Sequence, residues 1–151
     1  MEKKFINTSF LYAILAMIGG VFYREFTKFN QFVGVTALGK VHVHLFVLGM
    51  IFFLVVALLE KQYKISEDKR INKFFAIYNV GLIGMVVMLL VRGITQVKYM
   101  ALSTAMNASI SGIAGLAHIV MAIGIIMFFM ILRKVVDENS KKWGCRINVI
   151  C

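Results

Sequence analysis

The sequence predicts an all-α fold, a transmembrane four-helix bundle of up-down-up-down topology. Three observations predict it. Four uncharged apolar runs, Phe5–Tyr23, Val41–Leu59, Phe74–Val91 and Tyr99–Leu132, each reach the roughly 18 to 20 residues that cross a ~30 Å hydrocarbon core. The 151 residues are 60% hydrophobic, with a mean hydropathy of +0.84 and no proline, which is too apolar for a soluble domain of this size. The connections between the runs are short, and short connections make sequential helices antiparallel neighbours.

Helix one is expected over about residues 8–26, where Ala13, Ala16 and Gly20 offer a face for close packing. Its apolar run closes on Tyr23-Arg24-Glu25 without the small-residue cleavage pattern of a signal peptide, so it is read as a retained helix. Helix two, about 36–60, aligns Gly39, His42, Phe46, Gly49, Phe53 and Ala57 on one line, with His44 pointing roughly the other way. Residues 60–73 follow as a solvated loop. Helix three, about 72–97, carries Gly81, Gly84 and Met88 along one face, and Tyr78 and Asn79 read as interfacial and capping residues. Helix four, about 104–136, has a stripe of Ala108, Ser111, Gly112, Gly115, His118, Ile119 and Ala122, which places His118 on or beside its packed face. The whole of 1–151 is read as one integral membrane domain with a tail over 137–151, and neither an internal repeat nor a low-complexity segment interrupts it.

Charge sets the orientation. Twelve basic residues fall at the N-terminus, the 60–73 loop and the tail, against five (Arg24, Lys28, Lys40, Arg92 and Lys98) on the opposite side. The positive-inside rule then puts both termini in the cytoplasm. The formal charge of +10 does not point to nucleic acid, because these cations sit beside helix ends where they meet headgroups. Cys145 and Cys151 lie on the expected cytoplasmic side and form neither a zinc quartet nor a disulfide framework.

The chemistry rests on His42, His44 and His118, each inside a run apolar enough to cross a bilayer. An imidazole in hydrocarbon needs a partner. His42 and His44 enter helix two from the same side as His118 enters helix four, and with those helices diagonal across the core their depths differ by ~3 to 12 Å at 1.5 Å per residue. Metal ligation by these three histidines is the expectation, and the metal is the iron of a b-type heme. No acid or cysteine lies deep in any run to complete a bare zinc or copper site. Heme iron needs only one or two axial imidazoles. Helical phase favours His42 as the partner of His118, and depth favours His44. Arg92, Lys40 and Arg24 are the candidate partners of the heme propionates, although Arg24 and Lys40 also suit simple snorkelling to headgroups.

Four segments carry a family resemblance: Tyr23-Arg24-Glu25-Phe26-Thr27-Lys28-Phe29, Leu38-Gly39-Lys40-Val41-His42-Val43-His44-Leu45-Phe46, Arg92-Gly93, and Gly115-Leu116-Ala117-His118. Through them, over about residues 5–135, the chain resembles a family of small four-helix membrane proteins of Gram-positive bacteria, formerly of unknown function, that includes heme-sensing membrane proteins of the HsmA type. The resemblance implies heme binding at a bacterial plasma membrane, for heme tolerance by sequestration and for protection from oxidative stress. Two other readings stand beside it. One is a b-type cytochrome subunit exchanging electrons with quinone or a partner dehydrogenase, and the other is a cofactor-free structural or regulatory membrane protein. None of the motifs is a catalytic signature, so a binding protein is expected rather than an enzyme. Peroxidase-like chemistry requires an axial position left open. Heme and membrane lipids are the expected partners, with a homo-oligomer left open.

Overall fold

The structure is a computed structural model that describes the backbone of residues 1–148 and the side chains of residues 1–141. Among these residues it holds four helices long and apolar enough to cross a membrane. They are α1 (Glu2–Phe29), α2 (Leu38–Tyr63), α3 (Ile71–Val97) and α4 (Thr104–Asn148). Each of the first three is longer than its apolar run, because nothing at the run's edge stops it: without proline, helix propagation continues until a residue leaves the helical region. Lys64 ends α2 in the left-handed conformation, at φ 52°. The α1–α2 connection turns at Gln31 (φ 50°) and Gly34 (φ 153°), the second a conformation that only glycine adopts readily. Ser103 starts α4 by accepting the Met106 N–H at 3.2 Å. The expected end of helix four near residue 136 is passed, and the helix runs on to Asn148. Cys151, and the side chain of Cys145, lie outside the described residues.

The helices pair as two hairpins. α1 lies along α2, and α3 lies along α4. Glycines set both contacts: a methyl added to Gly49 would fall 2.5 Å from the Tyr12 ring, and one added to Gly81 would fall 2.5 Å from the Met121 nitrogen. α4 therefore turns Ala117, Met121 and Gly124 toward α3. The stripe expected to pack, Ala108, Ser111, Gly112, Gly115, His118, Ile119 and Ala122, is exposed instead, and a methyl on Gly112 or Gly115 would meet nothing within 4 Å. The two faces lie on nearly opposite sides of the helix, about 150° apart at 100° per residue, and small residues mark both, so composition could not choose between them.

At the lower end, which carries the α2–α3 connection, the hairpins are locked by an aromatic layer. Phe52 of α2 stacks on Tyr78 of α3 at 4.4 Å and meets Phe128 of α4 at 5.4 Å, while Phe5 of α1 meets Phe75 of α3 at 6.1 Å. Tyr78 and Asn79 belong to this layer and are not interfacial or capping residues. The Tyr78 hydroxyl donates to the Leu48 carbonyl at 2.7 Å, and Asn79 accepts from the Tyr12 hydroxyl. Leu48 sits in a π-helical stretch of α2, Leu45–Ile51. Ser9 of α1 donates to a second carbonyl there, that of Met50, at 2.8 Å. These bonds satisfy backbone groups in the wider turn, which would otherwise be stranded in an apolar interior.

Toward the upper end, which carries the α1–α2 and α3–α4 connections, the hairpins touch through Phe32 and Tyr99 of those connections, ring centroids 5.6 Å apart, and where α2 meets α3. There a methyl on Gly93 would clash with Leu38 at 2.5 Å. Thr36 donates to the Gly93 carbonyl at 3.1 Å, and the Gln96 side chain accepts the Ala37 N–H at 2.8 Å. On either side of this contact the bundle is splayed open, and each opening is a cleft.

Candidate functional site

One cleft lies between α2, α3 and α4 and encloses about 490 Å³, within the range that holds cofactor-sized ligands. Its composition is graded with depth. Lys40, Thr36, Gln96 and Arg92 surround the upper mouth, Met85, Met88 and Leu89 of α3 form the back wall, and His118 of α4 stands deepest. Depth follows from the antiparallel pairing of α3 and α4. Gly84 packs on Ala117, which places His118 level with the middle of α3's apolar run, whereas Arg92 reaches Asn107 and Ser111, two to three turns higher.

No carboxylate lines this cleft, so the charge of Lys40 and Arg92 is uncompensated within it. The Arg92 guanidinium is held in place, donating to the Asn107 side-chain oxygen and to the Ser111 hydroxyl at 2.6 Å. Both partners are neutral, and the cation is oriented without being neutralised. Such a mouth attracts an anion.

His118 is oriented by its own helix. Nδ1 lies 2.7 Å from the Ala114 carbonyl. A carbonyl can only accept, so Nδ1 carries the proton, and in the neutral ring Nε2 is then the nitrogen with the lone pair, the form in which histidine ligates a metal. His44 is prepared in the same way, with Nδ1 2.8 Å from the Lys40 carbonyl. It sits one turn below Lys40 and is not among the residues that line the cleft. His42 differs. It faces α1, where a methyl on Gly20 would meet its Cβ and Cγ at 3.8 Å. Its Nδ1 is buried without a hydrogen-bond partner among the described residues.

The structure thus brings together His118, Arg92 and Lys40, with His44 on the adjoining turn. It sets His42 and Arg24 apart. The line of Gly39, His42 and Gly49 is a packed face, but α1 occupies it and not α4. Arg24 is 81% exposed and lies 3.8 Å from Glu25. Thr36, Met85, Met88 and Ser111 are cleft residues that sequence reasoning missed. The signal was present in the helical phase, since Met85, Met88, Arg92 and Gln96 share one face of α3, as Ser111, Ala114 and His118 share one face of α4.

Among the described residues no three His, Cys, Asp or Glu side chains gather to hold a bare metal ion. A porphyrin would ask less of the donors present, since its ring supplies four ligands and leaves one or two to imidazole. A family model described as "Protein of unknown function (DUF2871)" matches residues 1–135. No curated protein and no solved structure matches the chain.

Proposed function

We propose that this chain, which belongs to the DUF2871 family, is a multi-pass membrane protein that holds a b-type heme in the cleft between α2, α3 and α4 and so limits free heme and the oxidative stress it causes. The observation that carries the reading is the coincidence, in one cleft, of an uncompensated cationic mouth with a histidine at its base whose Nε2 is free. A ligand suited to it has an anionic edge, an apolar body and a metal centre. The resemblance read from residues 23–29, 38–46, 92–93 and 115–118 implies the same ligand.

Each residue has a physical task. His118 offers Nε2 to the iron from α4, and His44 is the candidate donor from α2. Arg92 and Lys40 would pair with the propionates at the mouth through charge-assisted bonds. Met85, Met88 and Leu89 give the macrocycle an apolar wall. When bound, heme supplies an iron able to take or give one electron. Held by both imidazoles, the group would serve storage rather than turnover.

Membrane residence is supported by the four apolar helices and by the exposed aliphatic surface they share, including Ile18, Leu58, Val80, Leu116 and Ile126. The excess of basic residues at the lower end and tail favours cytoplasmic termini in a bacterial plasma membrane. A pyridine hemochrome assay on protein purified from heme-supplied cells tests the proposal. It should report heme b at close to one per chain, whereas colourless protein from heme-replete cells would refute it.

A further inference from the structure

The second cleft opens on the other side of the α2–α3 contact, between α1, α2 and α3, and encloses about 380 Å³. Gly19 and Leu15 of α1, Val41 and Leu45 of α2, and Val87 and Leu90 of α3 line it. The lining offers one heteroatom side chain, Tyr12 at the base, and its hydroxyl is already donated to Asn79. Water has nothing to bond to in such a space. A polar ring has nothing to recognise it, which argues against a quinone headgroup. Left empty, the walls would forgo dispersion contacts along their length.

The dimensions select the occupant. From Tyr12 to Phe22 the cleft follows ten residues of α1, ~15 Å at 1.5 Å per residue. That is about half of a ~30 Å hydrocarbon core, the depth of a single leaflet. It begins near the centre of α1's apolar run and ends at its upper boundary, as an acyl chain does. One turn above Ile94, the last cleft residue of α3, Lys98 stands exposed and outside every ion pair among the described residues. The nearest acid on the rim, Glu25, is matched to Arg24.

We infer that this cleft is a structural lipid site, holding one acyl chain of a phospholipid from the upper leaflet with the phosphate against Lys98. The chain completes the upper half of the bundle, where α1 and α3 are held apart, as the aromatic layer completes the lower half. The inference rests on membrane residence but not on heme.

Native mass spectrometry of the full chain released from mild detergent tests it, with four proteins compared. The unaltered chain should retain one phospholipid. Val87→Phe, which fills the cleft, should lower the lipid-bound fraction at least about tenfold. Lys98→Gln, on the surface and harmless to folding, should lower it several-fold. Val80→Phe adds the same bulk on the exposed face of α3, outside the cleft, and should change nothing. Overturning results are an unaltered chain with no retained lipid, Val87→Phe and Val80→Phe behaving alike, Lys98→Gln retaining lipid fully, or a retained isoprenoid quinone in place of phospholipid. Hemochrome content measured on the same samples reports the heme reading separately. Recovery of the chain without detergent would instead refute membrane residence.

Discussion

Two glycines on adjoining helices make opposite predictions from the same substitution. At Gly81 of α3 an added Cβ would lie 2.5, 2.6 and 2.8 Å from Met121 N, Cα and Cβ. Carbon contacts are comfortable near 3.5–4.0 Å, so α4 must retreat by about 1 Å. Backbone cannot rotate aside as a side chain can, and the retreat loosens the neighbouring contacts of Gly84 with Ala117 and Gly124 with Tyr78. Overpacking of this kind costs about 1–3 kcal/mol. At Gly112 of α4 the same methyl meets nothing within 4 Å, and helix propensity alone favours alanine by about 1 kcal/mol. In a thermal melt of detergent-purified protein followed by circular dichroism, Gly81→Ala should therefore melt several degrees lower. Gly112→Ala should melt at or slightly above the parent temperature. If Gly112→Ala were the more damaging change, α4 would be packed through its small-residue stripe after all, and its described rotation would be wrong.

Three further outcomes follow from particular contacts. Arg92→Gln keeps a hydrogen-bonding side chain but removes one of the mouth's two charges, and should weaken heme retention about tenfold, read as the rate of transfer to an apo-globin acceptor. Tyr78→Phe leaves the Leu48 carbonyl of the π-helical stretch without its donor and should cost about 1–3 kcal/mol in the same melt, with Phe75→Leu as a packing control. Hydrogen bonding from Arg70, with a further bond from Lys134, holds the Asp68 carboxyl well below its ordinary value of 3.8. A group depressed in the folded state stabilises above its unfolded pKa, and that stability is lost as pH falls through the folded value. Stability from this loop clasp should thus be flat at neutral pH and decline below about pH 4. Asp68→Asn should be less stable at neutral pH and show a shallower acid loss, and an unchanged acid limb would exclude the clasp.

The helices were legible in the sequence because uninterrupted apolar length is a strong signal and nothing local competes with it. The pairing of helices was less legible. Glycine marks close approach but not the partner: Gly81 and Gly84 are packed as expected, and the structure gives α4 as their partner, while Gly112 and Gly115 face outward. The same limit governed the site. Helical phase placed His42 with the glycines of its helix, and that face is packed, but α1 covers it. Arg92, Lys40 and His118 fall in one cleft because each lies on the side of its helix left open by the splaying of the hairpins. That splaying follows from the lower aromatic layer, built from Phe52, Tyr78 and Phe128 on three different helices, and no periodicity within one helix reveals such a layer. Tyr78 looked interfacial for the same reason. Its hydroxyl is satisfied by a π-helical carbonyl thirty residues away.

The most direct test of the heme site is the absorption spectrum of heme-loaded protein with each histidine changed to alanine in turn. His118→Ala should lose heme or shift it to a high-spin spectrum, His44→Ala should alter the axial signature, and His42→Ala, on the face covered by α1, should leave the spectrum as it was. A spectrum unmoved by His118→Ala, or one abolished only by His42→Ala, would contradict the assignment of heme to the cleft between α2, α3 and α4.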